Sequence, residues 1–166
     1  MSVIDGNFET QGTGLFFIDT VTASAPAVRK VTCPTGITGV RGGTADTIDT
    51  TCLDVVGRFR ENIPGMITPG DLPIPFVLKS GDASHKALLK LQDSGAIVGW
   101  YIGLSDSQAA PTMDSARKNL ISPQARTGFS FRGSVVNAQF DAATNEVVRG
   151  TLTVRPSGAT KEHWAE

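Results

Sequence analysis

Charge is scarce in this chain, and so are aromatics, cysteine and long apolar runs. Only 19% of its 166 residues are Asp, Glu, Lys or Arg, and 15 basic residues against 16 acidic ones leave a net charge of −1. That balance excludes a protein that grips nucleic acid through a basic surface, because such binding rests on clustered Lys and Arg. It gives no reason to expect attachment to an anionic membrane. No apolar run approaches the roughly 18 residues needed to span a bilayer. The N-terminal stretch MSVIDGNFETQGTG lacks a basic start and carries Asp5 and Glu9, so no secretory signal is expected. Cys33 and Cys52 read as two reduced thiols of a protein made in the cytosol rather than as a disulfide pair. What the chain has in quantity is 18 Gly and 9 Pro, a composition that favours turns and strands over long helices. Its length suits a single domain, 1–166, with a real core.

GLFFID (Gly14–Asp19) and AVRKVTC (Ala27–Cys33) read as short strands. LPIPFVLKS (Leu72–Ser80) alternates at Ile74, Phe76 and Leu78, and its Pro73 and Pro75 remove two N–H donors from one side, which predicts a sheet edge. DASHKALLKLQDSG predicts the one helix, about 82–94: Asp82 caps its start, Gly95 suits the left-handed position after its end, and Ala87, Leu88 and Leu91 make its apolar stripe. AIVGWYIGL alternates as a half-buried strand, with Val98, Trp100, Ile102 and Leu104 on one face. A polar loop from Ser105 to about Gln124 separates it from RTGFSFRGSVVNAQF and NEVVRGTLTVRP, two long strands around a hairpin turn. The end of the chain, about 157–166, reads as a flexible tail. Its Trp164 is either an exposed aromatic or an anchor that a neighbouring subunit buries.

Chemistry is thin. GITGVRGG lacks the Gly-Lys-Ser/Thr ending of a phosphate loop. Asp46, Asp49 and Asp54 do not have the alternating spacing of a calcium loop. GFSFRG misses the Gly-x-Ser-x-Gly pattern of a nucleophile elbow, and Ser130 falls inside a strand. His85, in the first helical turn, reads as a surface residue, and His163 lies in the tail. With no Cys-x-x-Cys and no paired His, zinc is not expected either. No catalytic, cofactor-binding or metal-ligating residue is assigned, and no enzyme activity is expected.

The oddity is the stretch from about Val40 to Gly70, polar at its start, carrying two Pro-Gly dipeptides as turn signals, with DTTCLDVVGRF between them and the start as a possible strand. Structureless stretches this long are uncommon in compact domains and are functional or disordered when they occur. An arm without a core of its own gains order by lying on another copy of the protein, and an open sheet edge invites pairing between chains. Repeated head-to-tail contacts then close into rings or grow into filaments. The candidate contact residues of this arm are Arg41, Asp46, Asp49, Leu53, Asp54, Arg58, Phe59 and Met66.

The ordered set of landmarks, TTCLD at Thr50–Asp54, DASHKALLKL at Asp82–Leu91, the aromatic strand at Trp100 and FRGSV at Phe131–Val135, resembles the major tail tube protein of long-tailed, lambda-like phages over roughly residues 28–158. The resemblance implies a mainly β, sandwich- or barrel-like fold with one flanking helix and a long extended arm. It implies six subunits per ring, stacked rings, an arm that reaches an adjacent ring or subunit, and transient, non-sequence-specific passage of DNA. The implied partners are further copies of the chain and tape-measure, terminator and tail-tip proteins, with no membrane. The implied place is the virion's tail, assembled in the host cytoplasm. The inner-tube protein of a gene transfer agent, contractile tail or secretion apparatus is the alternative, and a glycan- or receptor-binding β-domain at a tail tip is a more distant one.

Overall fold

Strands fall where β-branched and aromatic residues alternate, and glycine or proline separates them. The computed structural model describes residues 3–4, 7–52, 57 and 59–166. In chain order the elements are β1 (Val3–Ile4), β2 (Asn7–Phe8), β3 (Gly14–Asp19), β4 (Ala27–Lys30), β5 (Gly43–Asp49), β6 (Asn62–Pro69), β7 (Leu72–Val77), α1 (Ala83–Ser94), β8 (Val98–Gly103), β9 (Thr112–Met113), β10 (Leu120–Ile121), β11 (Gly128–Asp141), β12 (Arg149–Pro156) and β13 (Lys161–His163). A seven-stranded sheet carries the body in the order β4-β3-β8-β11-β12-β7, with β13 added beside β11. All of its named pairings are antiparallel.

The sheet almost meets itself. The two prolines of β7 face away from β12, as their spacing predicts, because β12 pairs with the other side of the strand. That outer side is partly covered by the chain leaving β4. Thr35 donates its N–H to the Pro75 carbonyl at 2.8 Å, Val77 donates to the Cys33 carbonyl at 3.1 Å, and a single bridge joins Pro34 to Phe76. The edge is therefore real but screened by a strand-like connection. The result is two packed halves of one open, curled sheet.

Helix α1 closes one end of the core. Asp82 accepts hydrogen bonds from the Ser84 and His85 N–H groups, and Gly95 takes φ 62°, where any side chain would be strained. Ala87, Leu88 and Leu91 are buried in the cluster with Phe76, Trp100, Phe131 and Val154. His85 is not the surface residue expected from its position: it is 3% exposed and packs at a tilt against Phe76, with centroids 4.8 Å apart. Its Nδ1 accepts from the Lys79 N–H at 3.3 Å, and its Nε2 faces the Thr32 carbonyl at 3.0 Å, which places the proton on Nε2. Nε2 thereby joins α1 to the chain after β4, and Nδ1 holds the connection between β7 and α1.

Strand β8 departs from its alternating pattern, because both of its faces are buried. The stretch expected as a polar loop, 105–124, folds back over it and contributes β9, β10 and the buried Leu120. Small residues make that possible. A Cβ at Gly99 would come within 2.8 Å of the Lys118 carbonyl, and one at Gly103 within 2.3 Å of the Arg126 side chain. Arg126 is 1% exposed and donates to the carbonyls of Leu104, Ala109, Gly12 and Gly103 at 2.7–3.3 Å. Burial lowers its pKa from the ordinary guanidinium value. A fully buried cation is tolerated here because four carbonyls replace its water.

Asp19 does the corresponding work at the end of β3. It is fully buried and accepts from the N–H groups of Val21 and Thr22, the Thr22 hydroxyl and Arg29 Nε at 2.5 Å. Burial pushes its pKa up, but these donors together outweigh it and hold the carboxyl at about 2. A depressed carboxylate stabilises the fold fully above its unfolded value near 4 and loses that contribution as pH falls towards 2. Replacing Asp19 by Asn is therefore expected to cost about 2 kcal/mol at pH 7, a gap that narrows between about pH 4 and 2. Urea denaturation of both proteins across that range measures it.

Candidate functional site

The long central stretch is a hairpin, not a structureless arm. Among the described residues β5 and β6 pair only with each other, in a separate two-stranded sheet. Its root is tight: Gly42 donates to the Gly39 carbonyl at 2.9 Å, and Gly70 donates to the Gly42 carbonyl at 2.8 Å. Beyond Asp49 the ladder continues through Thr50 N–H to the Glu61 carbonyl at 2.8 Å. The Pro64-Gly65 dipeptide, expected to turn the chain, lies inside β6 opposite a register shift between Ala45 and Thr47. Gly65 is suited to that bulge, because a Cβ there would come within 3.2 Å of the Asp46 carbonyl. Only Pro69-Gly70 ends a strand.

The pairing settles backbone hydrogen bonds but buries almost no side chain. Every residue of β5 is exposed. Ile48 and Ile63 lie directly opposite each other in the register, both about half exposed. Met66 is 83% exposed, Ile67 72% and Phe59 88%. A two-stranded hairpin is marginal by itself in water, and this one shows solvent a concentration of large apolar side chains.

Four of the expected contact residues, Asp46, Asp49, Phe59 and Met66, lie along this hairpin. Asp46 sits at the bulge. Asp49 closes β5, and hydrogen bonds from the Thr51 hydroxyl and N–H hold its carboxyl below the usual range. Its ion pair with Arg60, at 4.0 Å and exposed, adds little. Among the described residues, Phe59 and Met66 are its most exposed apolar groups. Leu53, Asp54 and Arg58 lie outside the described residues, as do Val55 and Val56 of the expected DTTCLDVVGRF strand. Arg41 stands apart, at the root, with a left-handed φ of 59° and an ion pair to Glu162.

That ion pair leads to a second correction. The last ten residues, expected as a flexible tail, are docked: β13 pairs with β11, with Gly128 opposite His163 and Ser130 opposite Lys161. Ser130 Oγ and His163 Nε2 are 2.8 Å apart, Ala165 donates its N–H to Thr127 Oγ1 at 3.1 Å, and Glu166 donates to the Gln124 carbonyl at 3.3 Å. Trp164 is thus an exposed aromatic, 66% accessible, on a backbone held at both sides. Sequence reasoning could not have paired Arg41 with Glu162, since neither belongs to a motif. The same holds for the fork of Arg155 on Asp71, at 2.7 and 2.8 Å.

Among the described residues no three or more His, Cys, Asp or Glu side chains converge as a metal site, and no helix is long and apolar enough to cross a membrane. The surface that stands out is the bare hairpin. Because its side chains touch so little, Ile48→Asp combined with Met66→Asp is expected to leave subunit stability within about 0.5 kcal/mol of the parent, as read by chemical denaturation.

Similarities to known proteins agree with that geometry. The chain shares its fold with the SPP1 tail tube, at TM-score 0.64 and 10% identity over 96% of this chain and 81% of that one. It is similar to a chain of the PVC sheath/tube terminator of an extracellular contractile injection system, at TM-score 0.63 and 12% identity over 98% and 100% of the two chains. It is also similar to the tail of an empty GTA particle, at TM-score 0.56 and 15% identity over 90% and 96%. No curated protein matches the sequence significantly. The profile of the family described as phage tail tube, TTP, lambda-like, matches residues 6–166, nearly the whole length. The chain belongs to the lambda-like phage tail tube family.

Proposed function

We propose that this structural subunit of the virion's tail tube assembles into stacked, six-membered rings, with each hairpin β5–β6 ordered by lying on another copy. The observation that carries the reading is the mismatch within the hairpin. Its backbone is paired, yet Ile48, Phe59, Ile63, Met66 and Ile67 remain in water. Burying those side chains against a neighbour removes apolar surface that the isolated subunit cannot cover, at about 25 cal/mol per Å². Six-fold rings are supported by the C6 symmetry of the GTA tail that shares the fold.

The rings conduct DNA and perform no catalysis. The closest approach to a catalytic pair, Ser130 with His163, has Ser130 buried within β11 and serves to dock β13. A tube also needs an end, and the similarity to a sheath/tube terminator chain supports a terminator built on the same fold. Tape-measure and tail-tip proteins complete the assembly partners, and assembly takes place in the host cytoplasm. A glycan-binding role is not favoured, because Trp100 is wholly buried and donates its indole N–H to the Gly133 carbonyl at 3.1 Å.

Joining Gly42 to Gly70 tests the role of the hairpin, since the Gly70 N–H already bonds the Gly42 carbonyl. The shortened subunit is expected to keep its circular dichroism spectrum and to form no tubes by negative-stain microscopy. Tubes of parental width from that variant would end the hairpin's role in assembly. Hydrogen exchange gives an independent reading. Amides of β5 and β6 should exchange fast in the free subunit and slowly in tubes, whereas β13 should be protected in both.

A further inference from the structure

Over its β11-β12-β7 end, the large sheet has one bare face. Gly150, Leu152 and Val154 turn into the core, so Arg149, Thr151, Thr153 and Arg155 turn outward. The register sets Pro75 and Pro73 beside Thr151 and Thr153 on one flank, and Gln139 and Asn137 on the other. These six side chains make a neutral panel of hydroxyls, amides and proline rings. No other element of the chain covers it among the described residues: Pro73, Asn137 and Gln139 are exposed, and Thr151, Thr153 and Pro75 are only partly shaded.

Charge begins at the ends of the panel, where one arginine is paired and the other has a carboxylate as its cross-strand neighbour. Arg155 forks onto Asp71 through two hydrogen bonds. At the other end Asp141 lies directly across from Arg149. Arg132, next along β11, opens instead into a separate groove that Asp114 also lines. The contrast with the hairpin is chemical: the hairpin shows Phe, Met and Ile to solvent, while this face shows Thr, Asn, Gln and Pro.

We propose that the panel is the inner wall of the tube's channel, and that it works by offering passing duplex DNA no free cation. This rests on the tube reading above. Each Lys or Arg that meets a phosphate releases counterions and becomes a salt-dependent point of attachment. In a tube the effect multiplies, because one unpaired cation per subunit becomes a charged girdle in every ring. An arginine already forked onto a carboxylate has its donors directed away from phosphate. Hydroxyls and amides are satisfied by water and hold no counterion. A wall built from them lets a polyanion slide.

Thr153→Cys in a Cys33→Ser, Cys52→Ser background locates the face. In the free subunit the new thiol should react both with a small maleimide and with a maleimide carried on a bulky globular protein. In tubes verified by microscopy, reaction with the small reagent should persist and reaction with the bulky one should be lost. Unchanged reaction with the bulky reagent would put the panel on the outside of the tube. Loss of both reactions would put it between copies. Either result overturns the proposal while leaving the tube itself intact, whereas a sample that forms no tubes removes the tube reading and this one with it. The chemistry has its own test in virions carrying Thr151→Lys and Thr153→Lys. Their DNA ejection should be slow at low salt and recover as salt is added; a parental rate at low salt would show that neutrality of the wall is not what matters.

Discussion

A paired backbone does not complete a β-hairpin whose side chains have no second layer to rest on. β5 and β6 satisfy one another's hydrogen bonds, yet among the described residues little covers Ile48, Ile63, Met66 or Ile67. Two-stranded ribbons gain independent stability only from a third strand or a packed surface. The rest of the molecule is organised around holding that incomplete element out. The Gly39–Gly42 turn and Gly70 pinch its root, and the ion pair of Arg41 with Glu162 ties the root to the C-terminal strand.

The body, in contrast, is over-determined. Arg126 joins three separate stretches through four carbonyls, Asp19 gathers the turn after β3 and the start of β4, and His85 spends both ring nitrogens on the chain around it. Each is a buried polar group with its partners in place, and each would be costly to leave unpaired. A body of this kind keeps its shape while a repeating load is placed on its surfaces. Rigidity in the sheet and incompleteness in the hairpin are complementary properties for a subunit of a stacked assembly.

Surface chemistry divides along the same line. The hairpin presents large apolar groups, whose burial would release water. The outer face of β7, β12 and the far half of β11 presents uncharged polar groups with its arginines opposite carboxylates.

Much of the fold was legible in the sequence because the relevant signals are local. Asp82 and Gly95 mark a helix through cap chemistry within a few residues, Gly14–Asp19 announces a strand through its apolar run, and Pro73 with Pro75 declares which side of β7 cannot donate. The missing core of the 40–70 stretch was visible in the same way. What was not visible depends on residues far apart in the chain. That His85 is buried, that 105–124 folds over β8, that the terminal strand docks on β11 and that Pro64-Gly65 forms a bulge instead of a turn are all decided by partners more than a few residues away. The order of amino acids determined which segments could be strand, helix or arm, because backbone propensity and capping act over a single turn or pair. Tertiary structure alone decided which faces remain bare, because exposure is a property of everything else that has, or has not, come to lie on top.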